Sequence, residues 1–134
     1  MRLIPTLIAT SMLASASMAA ALQPLREVKE IDDGLFAVAV ADEIRQQCDG
    51  ISARLFRALG YINTLESRAK ELGYSEQEIK AYVKSPEEKA RMRARGEAYL
   101  KANGVSYADK ETFCTLGRAE IEKGTLIGQL LRAK

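Results

Sequence analysis

Histidine and tryptophan are both absent from this 134-residue chain, and cysteine occurs only twice. Without histidine there is no imidazole to serve as a general base near neutral pH, no Ser-His-Asp triad and no imidazole metal ligand. Two cysteines without histidine make a poor zinc site, and the chain has neither a C-x-x-C redox pair nor a C-x-x-C-H haem-attachment sequence. Glycine-rich phosphate loops are missing too. An excess of one charge is also lacking: 20 Lys and Arg against 18 Asp and Glu give a net charge of +2, with no global pull toward nucleic acid or membrane. These absences predict no metal, no cofactor and no enzyme.

Long apolar runs are confined to the start. "MRLIPTLIATSMLASASMAAA" places Arg2 before an apolar stretch and ends in small residues. Ala19-Ala20-Ala21 fits an A-x-A cleavage pattern, so residues 1–21 read as a signal peptide and Leu22 as the first mature residue, with cleavage after Ala19 the close variant. The competing reading is an uncleaved membrane anchor, against which stand Pro5, the Ala/Ser content and the lack of a basic stop-transfer flank. The expected location is periplasmic or secreted, with no transmembrane segment in the mature chain. Residues 22–134 are one domain's worth. In an exported chain, an even pair of cysteines predicts a disulfide, Cys48–Cys114. The loop it closes is long, and the chain-entropy model puts its worth at about 4 kcal/mol.

The remainder reads as helices. Asp33–Cys48 is the first, apolar all round between Leu35 and Ala41, as in a helix surrounded by others, with Asp32 or Asp33 as its cap. Ile51–Leu72 carries an amphipathic stripe at steps of four and three. Ser75 and Glu78 have capping-box spacing and open a short helix to Lys84. Ser85-Pro86-Glu87-Glu88 opens the next, which ends at Asn103-Gly104. The last runs from Asp109 to Arg132. The expected fold is all-α, a compact bundle of four to five helices with one disulfide.

The last helix contains Gly117, Gly124 and Gly128, each costing about 1 kcal/mol against alanine in a helix interior. On a helical wheel they share a face with Cys114. Reading back from Cys48, Ile44, Ala41, Ala37 and Gly34 form a matching small stripe. Antiparallel packing of the two stripes would bring the axes close and join the cysteines. Two alternatives stay open: Gly124 ends the helix and a short turn follows, or the small face docks a partner helix or ligand.

The most charged stretch, "KSPEEKARMRARGEAYLK", carries Lys89, Arg91, Arg93 and Arg95 among glutamates. It reads as a salt-bridged surface helix, with Glu87–Arg91 and Glu97–Lys101 at favourable spacing. The sharper reading is an anion-binding face for phospholipid headgroups or an acidic partner. Met92 and Tyr99 read as its core-facing residues. The adjacent carboxylates Asp32-Asp33, Asp42-Glu43 and Glu87-Glu88 read as helix-start or solvated groups. Arg54 and Arg57 are candidates for an anion clamp, and Asp49 for a shared cleft with Glu120 or Glu122.

"DDGLFAVAVADEIRQQC", "ISARLFRALGYINTLESRAKELGYSEQEI", "KARMRARGEAYL" and "FCTLGRAEIEKGTLIGQLLR" together resemble a family of small exported proteins of Gram-negative bacteria, catalogued only as a domain of unknown function. The resemblance covers Asp32 to Arg132. It implies export and a helical fold, and supplies no catalytic residues. The expectation that follows is a non-catalytic binding or assembly module with an envelope protein or anionic surface as partner, and no nucleic acid. The rivals are a small-ligand carrier or enzyme using Asp, Glu and Arg in an interhelical pocket, and a membrane-tethered accessory subunit.

Overall fold

Lys29–Gln47 forms α1, and its apolar circumference follows from its neighbours. It packs against α2 (Leu55–Glu71), α4 (Pro86–Ala102), α5 (Glu111–Lys123) and α6 (Leu126–Gln129), which cover most of its middle and leave Ala39 exposed. The computed structural model describes residues 22–134; the leader expected over residues 1–21 lies outside the described residues. A 3-10 turn at Leu25–Glu27 precedes α1, and α3 (Glu76–Lys84) links α2 to α4. The fold is mostly helical, as expected, and is stapled by the Cys48–Cys114 disulfide, whose α-carbons stand 5.3 Å apart across 66 positions of sequence. Among the described residues no helix is long and apolar enough to cross a membrane.

The serine caps are where the spacing puts them. Ser75 Oγ accepts from the Glu78 amide at 3.1 Å and Ser85 Oγ from the Glu88 amide at 3.3 Å, with Pro86 in the first turn of α4. Three boundaries depart from expectation. First, α1 begins at Lys29, not Asp33. The chain enters from the 3-10 turn through extended Val28, which leaves both aspartates inside the helix. Second, Ile51–Ala53 is not a helix start. It is β1, paired antiparallel with β2 (Leu131–Ala133) in the register Ile51–Ala133, Ser52–Arg132, Ala53–Leu131. Third, the last helix is not continuous. Gly124 takes the left-handed conformation (φ 65°) and ends α5, and Thr125 caps α6 by accepting from the Gly128 amide at 3.1 Å.

That break revises the glycine stripe. A wheel assumes one axis, and the left-handed residue redirects the chain. Gly117 behaves as expected: a β-carbon there would collide with Ile44 and Ile51, so α5 does approach α1 closely beside the disulfide. Gly128 instead lies against the backbone of Glu120 and Ile121, where α6 folds back onto α5. Gly124 faces open space and serves only the turn. Gly34 opposes α2, where a β-carbon would stand 2.6 Å from Tyr61 Oη and 2.8 Å from Leu65. Ala37 and Ala41 are buried in the main core with Ile44 and Phe113, around the disulfide. A second core joins the start of α1 to α2 and α3 through Ile31, Leu65, Ala69 and Ile79.

Candidate functional site

Two regions of the surface are candidates from residue type alone, and the structure separates them. The first is the arginine-rich face of α4. Arg91 lies across α1, donating to Asp32 from Nη2 at 2.5 Å and Nη1 at 3.2 Å, and from Nε to Glu88 at 2.8 Å. One turn on, Arg95 donates to Asp32 at 3.0 Å and Asp33 at 2.6 Å, and its guanidinium stacks 4.1 Å from the Phe36 ring centre. Tyr82 Oη also donates to Asp32, and Arg26 pairs with Glu88. Asp32 is only 5% exposed. Burial by itself raises its carboxyl pKa, but the hydrogen bonds from Arg91 and Tyr82 and the charges of Arg91 and Arg95 outweigh it and hold the group below the usual carboxylate value. The same contacts push the Arg91 guanidinium up.

Half of the expected anion face is therefore consumed inside the fold. Arg91 and Arg95 are ties between α4 and α1; neither aspartate is a cap, Asp32 is buried, and Asp33 stays partly exposed and also pairs with Lys29 at 2.6 Å. Sequence reasoning finds both charge clusters without joining them, because partners 59 and 62 positions apart carry no local signal. Lys89 and Arg93 face a shallow depression of about 310 Å³ with Glu43, Met92 and Tyr107. Arg91 bonds Glu88 at i−3 rather than the expected Glu87. Tyr99 does turn inward, stacking edge-on with Phe36 at 5.4 Å and donating to Glu120, and its hydroxyl is pushed up to about 12 by burial and by that carboxylate. Glu120, 4% exposed, also accepts from the Thr125 hydroxyl, so it acts at the α5–α6 corner, while Asp49 stays exposed. Among the described residues no buried side-chain nitrogen or oxygen lacks a hydrogen-bond partner.

The second region is the first half of α2. The apolar stripe predicts one buried face along the whole helix. Leu65 and Ala69 are buried, but Leu55 is 60% and Leu59 50% exposed, and Phe56 beside them is 89% exposed. Leu55, Ala58, Leu59 and Ile62 form one wall of an open groove of about 760 Å³, with Leu35, Val38 and Ala39 of α1 opposite. Asp42 and Arg45, paired at 2.6 Å, mark its rim. Arg54 and Arg57 do not form the expected clamp. Arg54 donates from Nε to the Leu131 carbonyl at 3.0 Å, and Arg57 from Nη1 to the Gln129 carbonyl at 3.4 Å, bracing the α6–β2 corner against the start of α2.

The described frame is thus a helical bundle whose buried polar side chains are all hydrogen-bonded and whose most exposed large side chain, Phe56, is apolar. A family model matches residues 23–132, nearly all of the described chain. The chain belongs to DUF5333, a family of unknown function. No curated protein matches it, and no solved structure does. Membership in the family agrees with the resemblance drawn from the cysteines and the glycine-rich end, and it assigns no reaction.

Proposed function

We propose that this member of the family is a non-catalytic binding or assembly module, exported to the cell envelope by cleavage of residues 1–21. The observation that carries the reading is the exposed apolar lip of α2, Leu55, Phe56 and Leu59, beside an open groove on a disulfide-stapled frame. Three large apolar side chains exposed within five residues are out of place on a solvated surface and suit a surface that is covered in use. The rival reading, a carrier or enzyme built on Asp, Glu and Arg, has less support, because Arg91 and Arg95 are already committed to Asp32 and Asp33.

Envelope fractions passed over immobilised wild-type protein and over the double variant Phe56→Asp, Leu59→Asp test the binding role. The expected result is a component, protein or lipid, retained reproducibly by the wild type and lost with the lip. Equal retention by both would remove the lip from the proposal. N-terminal sequencing of the processed protein, expected to begin at Leu22 or Ala20, tests the export step.

A further inference from the structure

The lip has a second property that the groove does not explain. Phe56 lies outside the groove lining, so a ligand or helix seated between α1 and α2 would leave the most exposed aromatic of the region uncovered. Phe56 stands on the first turn of α2, a convex corner rather than a wall. Cations gather round that corner. Arg54 and Arg57 flank Leu55 and Phe56 in the same turn. Arg132 lies across the ribbon from Ser52, and Lys134, whose amide bonds the Gly50 carbonyl at 2.9 Å, lines the groove with Leu55 and Leu59. None of these four forms an ion pair among the described residues, and the Arg54 and Arg57 guanidinium groups bond only backbone carbonyls, those of Leu131 and Gln129. Against them stand Asp42, already paired with Arg45, and exposed Asp49. Four basic residues without an ion pair therefore lie on α2 and on the ribbon next to it, the elements that border the exposed apolar tip.

We infer that this corner is an attachment surface for an anionic lipid bilayer, with Leu55, Phe56 and Leu59 entering the headgroup and upper acyl region and Arg54, Arg57, Arg132 and Lys134 meeting the phosphates. Interfacial attachment of this kind sums buried apolar area and the attraction between basic side chains and anionic lipid, and the two halves lie together here. The inference rests on the binding-module reading and names its partner.

Co-sedimentation of the purified protein with phosphatidylglycerol–phosphatidylcholine vesicles tests it, with pure phosphatidylcholine vesicles as the comparison. Binding is expected only to the anionic vesicles, weakening several-fold from about 0.05 to about 0.5 M salt as charge is screened. Phe56→Ala with Leu59→Ala should weaken it about tenfold or more. Arg132→Gln and Lys134→Gln, both away from the core, should each weaken it about fivefold, with circular dichroism unchanged. Failure to pellet with anionic vesicles, or pelleting indifferent to all four substitutions, overturns the inference. Gly60→Leu separates a protein occupant, since Gly60 lies on the same exposed side of α2 with open space around it. Lipid attachment should tolerate the added side chain. Loss of lip-dependent capture of an envelope protein in Gly60→Leu, without vesicle binding by the wild type, overturns the lipid assignment and leaves the binding module standing. If neither vesicles nor an envelope protein depends on Phe56, both readings fall.

Discussion

Asp32 and Arg91 are joined by two hydrogen bonds, 2.5 and 3.2 Å, across 59 positions of sequence. The pair is the tie between α1 and α4, and Arg95 and Tyr82 complete it. Removing one partner of a buried pair leaves the others desolvated without compensation, at a cost of about 3–5 kcal/mol for full burial. Here the arginines keep some water and keep Glu88 and Asp33, so Asp32→Asn should lower stability by about 2 kcal/mol at pH 7. Urea unfolding monitored by circular dichroism measures this, and an unchanged midpoint would refute the tie.

The same group makes stability acid-sensitive. The folded-state pKa of Asp32 lies below its ordinary value of 3.8. The unfolded chain therefore binds the proton first as pH falls. The contribution is complete above that ordinary value and is lost as pH drops through the lower folded value. Melting temperatures measured from pH 6 to pH 2.5 should fall less steeply in Asp32→Asn than in wild type below pH 4.

Glycines of equal cost in a sequence table should behave very differently. A methyl at Gly128 would overlap the Glu120 carbonyl, a backbone group that cannot step aside. Gly128→Ala should therefore cost about 2–4 kcal/mol by forcing α6 off α5. Gly60 lies inside α2, exposed, and a methyl added there would have nothing within 4 Å. Gly60→Ala should raise stability by about 0.5–1 kcal/mol. Differential scanning calorimetry of the two variants should show shifts of opposite sign.

Reduction should loosen the core at one end. Cys48 and Cys114 are both buried beside Ile44 and Phe113, and the loop between them is long. Loss of the bond should cost about 4 kcal/mol. A Cys48→Ala, Cys114→Ala variant should melt well below wild type, and wild type with and without reductant should reproduce the difference.

How much of the fold and site is legible in the sequence depends on range. Ser75 and Ser85 declare their helices through residues three positions away, and each cysteine has one partner to find. The end of α5 is harder. Gly124 and Gly128 fit a continuous wheel as well as a break, and a left-handed residue is decided by what the following segment packs on. β1 is hidden for a related reason. Ile51–Ala53 matches the helical stripe of the residues after it, and its only argument for extension, Leu131–Ala133, lies at the far end of the sequence. Asp32 misleads through propensity: a helix-start aspartate and an ion-paired aspartate inside a helix look alike until α4 is placed.

The ribbon between Ile51–Ala53 and Leu131–Ala133 also fixes an order of events. Its paired residues Ser52 and Arg132 leave the ribosome 80 positions apart, and Arg54 too waits for the Leu130 and Leu131 carbonyls. A growing chain holding only α1 to α4 has no partner for β1, none for Cys48 and no α5 backbone at Gly117 to pack on Ile44. The frame closes late, after the stretch up to Ala133 has been made, so most of the polypeptide is synthesised before it has a finished structure to adopt.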